Sequence, residues 1–143
     1  MGADRLAVVN GTTEDKLEFF LESWREIFLE SNKTPEEVIA CYFCRDYQFY
    51  VNGHLLNFDL MVDRARRMRA EIDTASIRIV EAVGEGNKLA EIHEVDVVTK
   101  DGARSVVRLH NFLTFADNKI QTVLSLTMNM DGDERHADIA SRH

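Results

Sequence analysis

The hydrophobic period of this chain changes once, near Ala75, and that change restricts the fold more than any other feature. Upstream, apolar residues recur at spacings of three and four, which gathers them on one stripe of an α-helix. Downstream they recur at every second residue, which gathers them on one face of a β-strand. A chain that is helical first and stranded second is an α+β domain, here a curved antiparallel sheet wrapped around N-terminal helices. Its 143 residues suffice for one core and not for two.

Local signals divide the two halves. Thr12 and Thr13 precede Glu14 and Asp15, an N-cap followed by an acidic first turn, and Leu17, Phe20, Leu21, Trp24, Ile27 and Phe28 then share a stripe. Thr34-Pro35-Glu36-Glu37 restarts a helix that runs to about Cys44. Tyr47-Gln48-Phe49-Tyr50-Val51 reads as a short strand closed by an Asn52-Gly53 turn. Asn57 or Asp59 caps a third helix with Phe58, Met61, Val62, Ala65, Met68 and Ile72 on one face. Gly84-Glu85-Gly86-Asn87, Asp101-Gly102 and Asp117-Asn118 then cut the remainder into four strands over 76–83, 88–100, 103–116 and 119–130. The expected organisation is a flexible N-terminus over 1–12, one domain over 13–130 and a polar, disordered tail over 131–143.

Register follows from the turns. If Asp101-Gly102 forms a two-residue hairpin loop, His93 faces His110, Asp96 faces Val107 and Ile92 faces Asn111. The more apolar face then carries Ala90, Ile92, Glu94, Asp96 and Val98 with Val107, Leu109, Asn111, Leu113 and Phe115, joined by Ile120, Thr122, Leu124, Leu126 and Met128. On this register Glu94, Asp96 and Asn111 are polar intrusions into the concave face under the helices. The other face, with Glu91, His93, Val95, Val97, Arg108, His110 and Phe112, is mixed enough for water or for a partner subunit.

Composition removes several classes of function. A net charge of −8 repels phosphate backbones and anionic lipid, so neither nucleic acid nor a membrane is an expected partner. No stretch is long and apolar enough to span a bilayer, and residues 1–10 lack the features of a secretory signal, so a soluble, cytoplasmic protein is expected. Cys41 and Cys44 have a Cys-x-x-Cys spacing, but the spacing falls in a helical pattern without two further zinc ligands, and two half-buried thiols are the simpler account. Arg64, Arg66, Arg67 and Arg69 form a charge run on an amphipathic helix, more simply a solvated face than an anion site. The His93 and His110 pair has chemistry suited to a metal or to acid–base work, but beyond Glu91 no third ligand is evident; no metal and no cofactor is implied.

The order of long helix, short helix, aromatic strand, third helix and four-stranded meander resembles the nuclear transport factor 2-like superfamily of cone-shaped folds, particularly its SnoaL-like branch. The resemblance spans residues 13–130. It is carried by the aromatic first helix around Phe20 and Trp24, by Tyr42-Phe43-Cys44-Arg45-Asp46-Tyr47, by Asn52-Gly53, and by Phe115-Ala116-Asp117-Asn118-Lys119-Ile120, where Asn118 stands in place of the usual Gly. The superfamily includes ketosteroid isomerases, scytalone dehydratase, limonene epoxide hydrolase, polyketide cyclases and many members without known activity, so the fold alone does not name a reaction. Carried over by position, the isomerase pattern puts Trp24 near an oxyanion donor, Val51 or Asn52 near the catalytic base, and Asn111 near the supporting acid. Neither Val nor Asn can serve as that base.

Two functional expectations follow. The first is a dimeric pocket protein that binds a small apolar molecule through Trp24, Tyr47, Tyr50, Leu109, Asn111 and Leu113. The second is a cofactor-independent lyase, isomerase or cyclase in which Asp96 or Glu94, its charged form disfavoured by an apolar surrounding, is the acid–base group. Pairing of those carboxylates with Arg78 or Arg108 counts against the second.

Overall fold

The computed structural model describes residues 11–29 and 31–132. Helix α1, Thr13–Phe28, begins at a capping box: the Asp15 amide donates to Thr12 Oγ1 at 3.1 Å and the Thr12 amide donates to Asp15 Oδ2 at 3.0 Å. Helix α2, Pro35–Tyr42, repeats the device with Thr34 and Glu37 and places Pro35 where its missing N–H costs nothing. It stops two residues before the expected end. Strand β1, Phe43–Val51, starts immediately, so Cys41 is helical and Cys44 is stranded. Asn52 and Gly53, both at positive φ, turn the chain into the two-residue strand β2, His54–Leu55.

Helix α3, Phe58–Glu71, is capped by Asn57, whose Oδ1 accepts from the Leu60 amide at 2.9 Å. Met61, Val62, Ala65 and Met68 face inward as expected, whereas Phe58 is exposed. Most of the arginines of this helix are engaged within the fold. Arg69 donates to the carbonyls of Glu26, Ile27 and Lys33, satisfying acceptors around the C-terminal end of α1. Arg66 pairs with Glu36, and Arg64 lies over the Phe28 ring.

Strands β3, Ile72–Glu85, β4, Lys88–Thr99, β5, Arg104–Ala116, and β6, Lys119–Gly132, form the meander. The sheet order is β2-β1-β6-β5-β4-β3. It is mixed rather than wholly antiparallel, because β1 runs parallel to β6. The chain reaches β6 from β1 through β2, α3 and strands β3 to β5, ample length for the crossover that a parallel pair requires. Expectations for residues 1–10 and 133–143 fall outside the described residues. Thr12 caps α1, and Asp131 and Gly132 continue β6.

The sheet register corrects the expected faces. The β4–β5 loop has three residues, Lys100, Asp101 and Gly102, between the paired Thr99 and Ala103. Lys100 gives its amide to the Glu71 carbonyl at 2.9 Å, Asp101 accepts from the Ala103 amide and from Thr99 Oγ1, and Gly102 takes φ +90. A three-residue loop with glycine in the left-handed position shifts the ladder by one residue from the two-residue alternative. Because strand side chains alternate, that shift transfers all of β4 to the opposite face. Glu91 faces Asn111, Ile92 faces His110, His93 faces Leu109, and Asp96 faces Val106. A second irregularity, between Thr114 and Phe115 opposite Gln121, reverses the faces of β6 beyond Ile120. Val123 and Ser125 therefore point inward, and Leu124, Leu126 and Met128 point outward.

The core lies between the helices and the inner face of the sheet. Phe19 meets Tyr42 and Phe115 edge-on, at 5.0 and 6.2 Å between centroids. Trp24, Ile27, Val38, Leu56, Met61, Leu89, Leu109, Leu113, Ile120 and Val123 complete it.

Candidate functional site

Four polar residues interrupt the inner face. Glu91, His93, Asn111 and Ser125 come from three adjacent strands, and each is buried. His93 Nδ1 lies 2.9 and 3.0 Å from the two Glu91 carboxylate oxygens, and Asn111 Nδ2 donates to Glu91 Oε2 at 2.5 Å. With Glu91 as a carboxylate, which only accepts, Nδ1 is the ring atom that donates to it, and Nε2 is the ring nitrogen left over. Among the described residues Nε2 is buried without a hydrogen-bond partner. The rings of Phe20 and Trp24 stand edge-on to the imidazole, with centroids 6.4 and 6.3 Å away. A buried polar atom left unmatched costs about 1–3 kcal/mol, a cost this atom shares with the buried hydroxyl of Tyr47.

The outer face is different in kind. A groove of about 800 Å³ crosses five strands; Tyr50, Glu81, Val83, Ala90, Ile92, His110, Leu124 and Leu126 line it, and Glu91, Asn111 and Ser125 of the polar cluster also border it. Val83 is 64% exposed, Leu126 60%, and Leu124 and Met128 52% each. Contiguous apolar exposure of this kind marks an interaction surface.

Among the residues singled out from the sequence, Trp24, Leu109 and Asn111 gather around His93. Leu113 is fully buried further along β5, and Tyr50 lies on the outer face in the groove. Tyr47 packs on Phe43 at 5.0 Å; its hydroxyl is buried without a partner, and burial pushes its pKa up to about 12. Asp96 and Glu94 are not on the concave face. Glu94 sits between Arg78, at 2.6 Å, and Arg108, at 2.7 Å, and Asp96 is held bidentately by Arg104 at 2.6 and 2.9 Å. Hydrogen bonds from these arginines hold both carboxyls below their ordinary range, the reverse of what a carbon acid's base requires. His93 and His110 are on opposite faces and form no pair. Val51 is core, and Asn52 exchanges two 2.9 Å hydrogen bonds with Thr127, tying the turn to β6. Among the described residues no group of three or more His, Cys, Asp or Glu is arranged to hold a metal, and no helix is long and apolar enough to cross a membrane.

Glu91 and His93 lie on the inner face, opposite to the face a two-residue Asp101-Gly102 loop gives them, because Lys100 belongs to the loop. Glycine at the third loop position is the sequence signal for the three-residue form.

No family model matches the chain. An uncharacterized protein of Schizosaccharomyces pombe is 25% identical over 108 residues, covering 76% of this chain and 83% of its own. AclR of Streptomyces galilaeus, provisionally described as a hydroxylase, superposes with a TM-score of 0.65 at 13% identity, over 91% of this chain and 83% of that one. A protein of Jannaschia provisionally described as a SnoaL-like polyketide cyclase superposes with a TM-score of 0.59 at 10% identity, over 79% and 83%. A nuclear transport factor 2-like protein of unknown function from Burkholderia pseudomallei gives 0.57 at 10% identity, over 80% and 89%. In element order, in its open six-stranded mixed sheet and in these superpositions, the chain has the nuclear transport factor 2-like α+β cone fold.

Proposed function

We propose that this chain is a SnoaL-like binding protein that takes a small, largely apolar molecule onto the inner face of its sheet at His93, and that it works as a homodimer joined through the outer face. The observation that carries the binding reading is the unmatched Nε2 of His93, held in place by Glu91 and enclosed by Phe20 and Trp24. A ligand that supplies a hydrogen-bonding group to Nε2 removes the penalty of an orphaned polar atom, and its apolar remainder replaces aromatic packing. The dimer reading rests on the exposed row Leu124, Leu126 and Met128 with Val83 and Phe112 beside it.

The solved structures similar in fold include proteins provisionally named as a cyclase and as a hydroxylase, which favours a small-molecule function over nuclear transport. The acid–base reading built on Asp96 or Glu94 loses its support, since both are tied to arginines on the outer face.

Native mass spectrometry of freshly purified protein tests both parts at once. The expected spectrum shows a twofold subunit mass, and a retained small molecule that is released on denaturation and absent from His93→Gln. A monomer would remove the dimer reading. Trp24, the single tryptophan of the chain, supplies a check on binding because its ring adjoins His93. If small apolar compounds leave its emission unchanged, the inner face is not the site.

A further inference from the structure

The outer face differs in charge from the chain as a whole. Along the β3–β4 and β4–β5 ladders the outward side chains include four basic groups, Arg78, Lys88, Arg104 and Arg108, and four acidic ones, Glu81, Glu85, Glu94 and Asp96. They cancel, whereas the chain carries −8. Five of them are already joined, as Arg78–Glu94–Arg108 and Arg104–Asp96. Two copies that approach through this face escape the repulsion that the rest of the surface imposes, so the occupant that suits both its charge and its apolar row is a second copy of the chain.

His110 stands in the apolar half of that face and lines the groove. Its cross-strand neighbours are Ile92 on β4 and Leu126 on β6, with Arg108 and Phe112 two residues to either side on β5. The titratable and charged groups facing the same side are Arg108; Glu94 on β4, held by Arg78 and Arg108; Lys88 on β4, over the Phe112 ring; Glu81 on β3, beyond Ile92; and Tyr50 on β1, beyond Leu124. From β6 come only Leu124, Leu126 and Met128. The imidazole is half-buried, and its immediate neighbours across both strands are apolar.

We infer that protonation of His110 releases the dimer, so that association through the outer face is set by pH. This rests on the reading that the outer face joins two copies, and adds to it what controls the joining. Covering Ile92 and Leu126 with a second copy covers the imidazole between them. A neutral ring tolerates that cover, whereas an imidazolium gives up its hydration for aliphatic neighbours. Imidazole is the side chain that ordinarily changes charge between pH 5 and 8. Because the charged form is disfavoured in the dimer, association expels a proton from each His110, and dissociation rises as pH falls. A twofold pairing of one face with itself brings two such groups to the interface, which steepens the response.

Sedimentation of the full chain at about pH 8 and about pH 5.5 tests this, with urea unfolding at each pH to show that the fold persists. The wild type is expected to be dimeric at the higher pH and to dissociate at least about tenfold more readily at the lower one. His110→Gln, polar but uncharged at both, should dimerise at both and lose the weakening. His110→Lys, charged at both, should be monomeric at about pH 8 at concentrations where the wild type is dimeric. If wild type and His110→Gln respond alike to pH, the switch is overturned and the dimer stands. A wild-type dimer that tightens at the lower pH, with that tightening lost in His110→Gln, overturns the switch in favour of an imidazolium–carboxylate pair between copies. A folded wild type that is monomeric at both values removes the dimer reading itself, and the switch with it.

Discussion

Strand β4 carries two sets of ionisable residues three positions apart, and they live in opposite conditions. Glu91 on the inner face is buried with an imidazole and an amide as its partners, whereas Glu94 on the outer face is bound by two guanidinium groups at the surface. Both are glutamates on one strand, and the pleat alone decides which is a solvated structural charge and which is part of a low-dielectric cluster. In the first setting a charge has few ways to be satisfied, and each partner matters; in the second, water replaces any partner that is lost.

The comparison predicts its largest difference in stability. Glu91→Leu leaves His93 Nδ1 and Asn111 Nδ2 without their acceptor, and His93→Leu leaves a buried carboxylate short of a donor. Each is expected to cost about 3–5 kcal/mol in urea-induced unfolding. The double variant Glu91→Leu/His93→Leu should cost clearly less than the two singles together, because no charge remains unpaired. Strict additivity would mean that the two side chains do not act as a unit, and the contrast between the faces would fail.

The outer face supplies the second test. Leu126→Glu adds a charge to the exposed apolar row, and sedimentation should show dimer dissociation rising at least about thirtyfold, the equivalent of about 2 kcal/mol. Since Leu126 is 60% exposed in the single chain, the monomer's unfolding should be nearly unchanged. The Trp24 response to small apolar compounds should also persist. If Leu126→Glu abolishes that response while the protein stays folded, the outer groove and not the inner cluster holds the ligand.

How much of this the residues disclose depends on the range of the interaction that fixes each part. Caps and turns are local: Thr12 with Asp15, Thr34 with Glu37, Asn57, Asn52-Gly53 and Asp117-Asn118 all act where the sequence places them. The inner stripe of α1 and the apolar side of β5 are legible for the same reason, since one period suffices to assign them. The faces of β4 and β6 are not, because each depends on a single residue. Lys100 leaves the ladder only by bonding the Glu71 carbonyl at the end of α3, a contact between residues distant in sequence. Gln121 is the extra residue opposite the Thr114–Phe115 step. Lys100 in the β4–β5 loop exchanges Glu94 and Asp96 for Glu91 and His93 on the inner face, and Gln121 within β6 exchanges Leu124 and Leu126 for Val123 and Ser125, so the fold is readable from the sequence while its site is not. The parallel pairing of β1 with β6 was hidden similarly, by the distance between its partners.

A third test concerns a polar group that is buried without any partner. Burial raises the Tyr47 pKa from 10.0 to about 12, so the folded state keeps its phenolic proton at a pH where the unfolded chain releases it. Its contribution is complete below pH 10 and is lost as pH rises through about 12, a change on the order of 2 kcal/mol. Tyr47→Phe should be more stable than the wild type at neutral pH, by up to about 1–3 kcal/mol, since the hydroxyl has no partner among the described residues, and should resist alkaline unfolding better still. Identical alkaline limbs for the two proteins would show that the hydroxyl reaches water.

The smallest effect belongs to the outer carboxylates, and its sign with pH is the sharpest statement of the difference between the faces. Arg104 lowers the Asp96 pKa below the ordinary 3.8, and Arg78 and Arg108 lower that of Glu94 below 4.5. A lowered folded-state pKa stabilises the protein above the unfolded value and ceases to do so as pH falls through the folded one. Asp96→Asn should therefore cost about 0.2–1 kcal/mol at pH 7, and that cost should vanish as the pH is lowered below about 4 and shrink with added salt. Glu94→Gln should follow the same trend. The Trp24 response to small apolar compounds should survive both substitutions, because both side chains are tied to arginines away from the inner cluster. Loss of the Trp24 response in either variant would return the acid–base role to the outer carboxylates and reverse the assignment of faces argued from the β4–β5 loop.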